Sequence, residues 1–323
     1  MANRCAVLGK PIAHSLSPVL HNAAYRSLGL DDWSYDRHEV GEPDLDAFLK
    51  SLDPTWRGLS LTMPLKKTIQ PYGTPRNVWA RELHVANTAV FDWSKATHDD
   101  PSWSHGRPGI RLYNTDVAGI QLAFDHAERE FGLHGGGVGE GRALIIGNGN
   151  TATSAVAACM MMPRNGRITI AARHPGRDLG LDGAARIFTG EARRPYDEID
   201  LNDADAVTEA ARGATHVINT IPGHAADGVA ARLDASGATF RGLLLDVVYD
   251  PRPTRLMQVW RAHGGRAIGG EEMLLYQGLI QVLLMTGIWD DDPPSDADWR
   301  LQDVTVDDDH LEIAMRRALE EAL

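Results

Sequence analysis

The stretch Arg142-Ala143-Leu144-Ile145-Ile146-Gly147-Asn148-Gly149-Asn150-Thr151-Ala152 limits what this chain can fold into more than any other. Its continuous apolar run reads as a strand buried on both faces, the kind found inside parallel sheets. Glycines at 147 and 149 let the backbone turn tightly and approach a ligand. A helix expected over Thr151 to Met162 aims its N-terminus at the same spot. Strand, glycine turn and helix in this order open a dinucleotide-binding unit, with a pyrophosphate against Gly147, Asn148, Gly149, Asn150, Thr151 and Ala152. The plain alternative is a glycine turn that only packs.

Strand signals continue at Arg167 to Ala172, His216 to Asn219, Leu243 to Val248 and Arg266 to Ile268. Strand alternating with helix implies a parallel, doubly wound sheet. Gly270 to Ile288 reads as a long apolar helix. Past a linker at 290–294, Leu311, Ala314, Met315, Ala318, Leu319 and Ala322 form a helical stripe expected to dock on the body.

The first half alternates as well. Strands are expected at Cys5 to Leu8, Trp33 to Val40, Gly58 to Thr62 and Ala89 to Phe91, and helices at Pro18 to Leu28, Asp44 to Leu52 and Val117 to Phe131. Asp92 to Gly109 reads as a surface loop or hairpin, and Gly135-Gly136-Gly137 as a break. The expected class is α/β in three parts. Residues 1–117 form an N-terminal α/β substrate domain and 118–268 a doubly wound Rossmann domain. Residues 269–323 supply C-terminal helices that return to the first domain.

A formal charge of −12 with no dense basic stretch argues against nucleic acid, and no apolar run is long enough to span a bilayer. The N-terminus enters a strand without a signal-peptide pattern. Cys5 and Cys159 stand alone in apolar surroundings, with no metal or redox spacing. These features predict a cytoplasmic protein with buried thiols, no metal, a small-molecule ligand, and a monomeric or homodimeric state.

The cofactor type is read at the end of the strand that follows the glycine turn. An acid there suits the ribose hydroxyls of NAD, and arginine suits a 2′-phosphate. This chain has Ala172-Arg173-His174 and no acid. Arg173 can fork onto a phosphate with help from His174, so NADP is expected ahead of NAD. An ordinary exposed arginine after a strand is the competing reading.

Lysine occurs only at 10, 50, 66, 67 and 95 among 32 basic residues. A chain that otherwise uses arginine gives weight to the pair after Thr62-Met63-Pro64, because lysine can lose its proton and arginine cannot. Lys66 and Asp116 both precede the glycine turn. The acid/base residues are therefore expected in one half and the cofactor in the other, with a small polar substrate meeting the nicotinamide between them.

Other segments carry a resemblance. Gly9-Lys10-Pro11-Ile12-Ala13-His14-Ser15-Leu16-Ser17-Pro18, with His21-Asn22 after it, resembles the opening signature of shikimate dehydrogenases. Ser60-Leu61-Thr62-Met63-Pro64-Leu65-Lys66 is similar to the second motif of that family. Val85-Ala86-Asn87-Thr88, Asn114-Thr115-Asp116, Asp246-Val247-Val248-Tyr249-Asp250-Pro251 and Gly270-Glu271-Glu272-Met273-Leu274-Leu275-Tyr276-Gln277 resemble the later ones, in the same order. The likeness runs from about Gly9 to Ile288.

It implies NADP-dependent interconversion of 3-dehydroshikimate and shikimate. Ser15 and Ser17 would donate to the substrate carboxylate, helped by Tyr249. Thr62, Asn87, Asp116 and Gln277 would hold ring hydroxyls, and Lys66 would face the oxygen that is reduced. Thr220, Val247 and Gly270 would line the cofactor. The chemistry is coherent, since hydride delivery to a ketone leaves an alkoxide that needs a proton and a nearby positive charge. Oxidation needs the neutral amine, so shikimate oxidation is expected to accelerate with pH.

Each residue also has a structural reading. Ser15 and Ser17 could cap a helix, Asp116 could cap the helix after it, Lys66 could be solvated, and Tyr249 and Gln277 could simply pack. His14 and His21 read as structural. The chain departs from the family where Ser60 replaces a common asparagine, where Asn150 and Thr153 replace a glycine and a basic residue, and where Ala172 replaces an asparagine. Rival functions are an NAD-linked quinate/shikimate dehydrogenase and a non-catalytic metabolite sensor on the same fold.

Overall fold

The computed structural model describes residues 2–133, 137–176, 179–181, 196–289 and 309–323. The chain divides into two units. The first runs to Thr115 and resumes at Gln277, and the second is Asp116–Tyr276.

In the second unit, β7 (Gly141–Ile146), β8 (Asn165–Ala172), β9 (Asp197–Asp200), β10 (His216–Asn219), β11 (Leu243–Asp246) and β12 (Arg266–Ile268) form one sheet. Its order is β12-β11-β10-β7-β8-β9, and all the pairings are parallel. This is the doubly wound order whose switch point lies between the first strand and the fourth, here β7 and β10. Leu144, Ile146, Val217 and Leu244 pack against Val229, Leu233, Leu256 and Trp260 from covering helices. Phe240 stacks on Trp260, with centroids 4.4 Å apart and planes at 4°. An apolar run buried on both faces is what this position demands, which is why the strand was readable from composition alone.

The first unit has a mixed sheet ordered β2-β1-β3-β5-β6-β4. Its strands are β1 (Asn3–Gly9), β2 (Trp33–Glu39), β3 (Trp56–Leu61), β4 (Thr74–Pro75), β5 (Thr88–Thr97) and β6 (Arg107–Tyr113). β1 pairs in parallel with β2 and β3, and β5 runs antiparallel to β3 and β6. The Asp92 to Gly109 segment is a hairpin, with β5 reaching Thr97 and β6 starting at Arg107. The two-residue β4, with its proline, sits at the edge where a missing N–H is tolerated. Ala6, Leu8, Leu59, Leu61, Phe91 and Leu112 build the core together with Leu45, Leu49, Trp56 and Leu65.

Helix α1 (Ser17–Ser27) has proline in its first turn, and Gly29 follows it at φ +67°. The stripe of Leu311, Met315 and Leu319 is buried on the last helix, Asp309–Ala322, which packs against α1. Cys5 and Cys159 are free and buried, and burial pushes both thiols up to about 12. The linker at 290–294 and two of the three glycines at 135–137 lie outside the described residues. Among the described residues, no helix is long and apolar enough to cross a membrane.

Candidate active site

The candidate residues fall into two sets, one in each unit. In the second unit, β7 is followed directly by Gly147, whose φ of +107° few side chains adopt. A Cβ there would lie 2.5 Å from Thr220 Oγ1, so glycine is required for space as well as for torsion. Thr220 anchors the turn by donating its N–H and Oγ1 to the Ile146 carbonyl at 2.8 and 2.9 Å. Helix α6 (Asn150–Met161) follows, with Gly149 at its N-cap position and no side-chain cap. A Cβ on Gly149 would meet nothing within 4 Å. An uncapped helix start behind a glycine open on that side fits a pyrophosphate oxygen approaching the backbone.

Asn148 Nδ2 donates to the His174 carbonyl at 3.0 Å and ties the glycine turn to the turn after β8. Arg173 and His174 are exposed there, and no acid replaces them. At the far side of the sheet, a Cβ on Gly270 would run into the Val247 carbonyl, so glycine lets these two segments touch.

Asp246 closes β11. It accepts from Thr254 Oγ1 at 2.6 Å, Asn219 Nδ2 at 2.9 Å and the Val248 N–H at 3.2 Å. Burial still holds this carboxyl above its ordinary value. The strand ends at Asp246, two residues short of the expected end, although the Val247 N–H still donates to the Asn219 carbonyl at 3.1 Å and the Val248 carbonyl accepts the Gly270 N–H at 3.3 Å. Next to Gly270, Glu271 is buried, is raised by burial, and pairs with Arg252 Nε at 3.0 Å. Neither Arg252 nor Glu271 was expected from the sequence to have a role. Asp116 is the buried first residue of helix α5 (Asp116–Glu130), where a carboxylate suits the helix dipole. Tyr249 is half-buried in the segment after β11.

In the first unit, Gly9 ends β1 against Thr62 and Met63, whose space a side chain would occupy. Lys10 N–H donates to the Met63 carbonyl at 3.0 Å, and Thr62 N–H to the Leu8 carbonyl at 2.9 Å. This fastens the Thr62 segment to the strand end. Lys66 lies half-buried on helix α3 (Leu65–Thr68), and its carbonyl accepts the Ala86 N–H at 2.9 Å. That bond places the lysine's backbone beside the strand entry carrying Asn87.

Ser15 and Ser17 are buried at the start of α1. Ser15 Oγ accepts the Ser17 N–H at 3.3 Å, a local bond that leaves its O–H proton to donate elsewhere. His21 Nδ1 lies 2.9 Å from the Ser17 carbonyl and donates to it, and burial lowers the ring to about 4. Asn22 bonds the Pro18 carbonyl and both backbone groups of Tyr35, which locks α1 to β2. His21 and Asn22 are thus structural supports for the serine segment.

Asn87 and Gln277 meet directly, with Nδ2 donating to Oε1 at 3.2 Å. Gln277 belongs to the long helix Gly270–Thr286. A Cβ on Gly278 would come within 2.9 Å of Leu20 and 3.6 Å of His21, so glycine lets α1 approach the helix just after Gln277. Tyr35, Thr88, Thr115 and Gln281 join this buried polar group and were not singled out from the sequence. A glutamine inside an otherwise apolar helix, four residues after Gln277, was the available signal.

Residues 7–89 match the family model described as the shikimate dehydrogenase substrate binding domain. A Methanothrix thermoacetophila protein named shikimate dehydrogenase (NADP(+)) is 33% identical, over 88% of this chain and 91% of its own. The solved Mycobacterium fortuitum shikimate 5-dehydrogenase is 34% identical with a TM-score of 0.70, over 98% of both chains. The Mycobacterium tuberculosis shikimate dehydrogenase is 31% identical with a TM-score of 0.72, over 99% of this chain and 100% of its own. With the doubly wound sheet, its glycine turn and the Ser15, Lys66 and Asn87 segments in place, these likenesses are decisive, and the chain belongs to the shikimate dehydrogenase family.

Proposed function

We propose that this protein is an NADP-dependent shikimate dehydrogenase, interconverting 3-dehydroshikimate and shikimate. The observation that carries the reading is the pairing of two parts in one chain. One is an uncapped helix behind a glycine turn, and the other is a half-buried lysine whose backbone is fastened beside a buried asparagine–glutamine pair. The named relatives support the substrate and cofactor. A Thermus thermophilus enzyme of this family, 25% identical with a TM-score of 0.67, was solved with NADP(H) and shikimate.

The division of labour follows the two units. Gly147, Asn148, Gly149, Asn150, Thr151 and Ala152 would receive the pyrophosphate, and Arg173 with His174 the 2′-phosphate. Thr220, Val247 and Gly270 would border the nicotinamide. When bound, the nicotinamide supplies or accepts the hydride.

The remaining steps belong to side chains of the protein. Ser15 and Ser17 donate to the substrate carboxylate, with Tyr249 assisting. Thr62, Asn87 and Gln277 orient the ring. Lys66 Nζ gives its proton to the carbonyl oxygen as it gains negative charge, and takes it back in oxidation. Asp116 would orient that amine. Two buried thiols suit a reducing compartment, and the reading places the enzyme in the cytoplasm.

Four initial rates test this: shikimate and quinate oxidation, each with NADP and with NAD. Shikimate with NADP is expected to dominate; quinate with NAD running fastest would overturn the assignment. Lys66→Ala is expected to reduce turnover by at least about 10³-fold while shikimate affinity stays within a few-fold. Turnover that survives the substitution would remove the lysine from proton transfer.

A further inference from the structure

A continuous run of hydrogen bonds crosses the interior of the first unit. Tyr35 Oη donates to Ser60 Oγ at 2.6 Å, and Ser60 donates to Gln281 Oε1 at 2.7 Å. Gln281 Nε2 donates to Thr88 Oγ1 at 2.9 Å, and Thr88 donates to Asn87 Oδ1 at 2.9 Å. Asn87 Nδ2 then donates to Gln277 Oε1. All six side chains are buried, so each polar atom depends on its neighbour rather than on water.

Two backbone groups set the direction of the whole run. The Thr115 N–H can only donate, and it meets Asn87 Oδ1 at 2.9 Å. Asn87 must therefore turn its Nδ2 toward Gln277, which receives it through oxygen. The Asn87 carbonyl can only accept, and it meets Gln281 Nε2 at 3.2 Å. Gln281 must therefore present oxygen to Ser60, Ser60 must donate to it, and Tyr35 must donate to Ser60. Turning either amide over would set donor against donor and acceptor against acceptor inside the core. The polarity of Gln277 follows: its oxygen is committed to Asn87, and its Nε2 is turned away from it.

We propose that Ser60 and Gln281 are positioning residues for the substrate ring, which lock Asn87 and hold Gln277 as a hydrogen-bond donor, so that the ring oxygen opposite Gln277 is recognised as an acceptor. The inference rests on the reading that Gln277 faces the ring. It adds that the orientation of Gln277 is imposed from Tyr35 and Ser60 on the far side of the core. It also gives a role to Ser60, where the family commonly has asparagine. The shorter hydroxyl is the link between the Tyr35 phenol and the Gln281 amide.

The test is a double-mutant cycle on the full-length enzyme, read as shikimate KM, kcat and NADP KM. Gln281→Met keeps length and removes both polar groups. It is expected to raise shikimate KM about tenfold, with kcat and NADP KM within about twofold. Ser60→Ala, a smaller change, is expected to act in the same direction and carries the cycle if Gln281→Met does not fold. In a Gln277→Ala background the Gln281→Met effect should shrink to less than about twofold, because nothing is left to position. An unchanged KM, or the same tenfold loss in both backgrounds, would overturn the positioning role. Wild-type protein that oxidises no shikimate would instead overturn the reading of the reaction itself.

Discussion

His21 stacks on Tyr35, with ring centroids 3.9 Å apart and planes at 18°, and neither ring reaches solvent. Burial lowers the imidazole from 6.5 to about 4 and outweighs the Nδ1 bond to the Ser17 carbonyl, which by itself would raise it. The stack joins the segment that carries Ser15 and Ser17 to the head of the hydrogen-bonded run through Ser60. Protonating His21 would put a charge into that junction.

Acid stability should report it. The unfolded chain binds a proton at this histidine below pH 6.5, whereas the folded chain resists until about 4. Stability is therefore unaffected above pH 6.5 and falls as pH drops through that window, by about 3 kcal/mol near pH 4 from this group alone. Urea unfolding of wild type and His21→Gln between pH 7 and 4 checks the sign. The variant, which has no titrating ring, should lose about that much less across the window. Parallel slopes would assign the acid sensitivity to other groups.

Gly147→Ala should damage both folding and cofactor binding. The residue has φ +107°, and its new Cβ would press on Thr220 Oγ1, itself bonded to the strand end. A loss of about 1–3 kcal/mol is expected from the backbone alone. NADP affinity should fall more than tenfold as the turn moves away from the phosphate path. Denaturant melts and cofactor titration measure the two effects separately. Unchanged NADP affinity would dissociate this turn from the cofactor.

Arg173→Ala should discriminate between cofactors. The guanidinium is exposed at the turn that Asn148 ties to the glycine segment, so removing it costs the fold little. NADP KM should rise roughly ten- to a hundredfold, from loss of a charge-assisted phosphate contact. NAD KM should change less than about twofold. Equal changes for both cofactors would separate Arg173 from the 2′-phosphate.

Much of this was legible along the chain because it is local. The β7 strand, the glycine turn and α6 need only an apolar run, two small residues and a helix former in sequence, and the structure shows all three. Helix ends were likewise near their signals, with Pro18 in the first turn of α1 and Gly29 beyond its last. The strand β9 was missed, since Asp197 to Asp200 is polar at both ends and pairs only as an edge. The strand from Leu243 ends at Asp246, whose carboxylate is held by Thr254, eight residues on and beyond the reach of a local pattern.

What the sequence by itself determined was the set of candidate side chains and the local turns that carry them: Ser15, Thr62, Lys66, Asn87, Gln277 and the glycines of the turn after β7. What only the tertiary structure decided was orientation. Gln281 meets Ser60 across 221 positions and Gln277 meets Asn87 across 190. An amide looks the same from either end in a linear chain. Its direction is set when folding brings it against a backbone N–H that can only give a proton and a carbonyl that can only accept one.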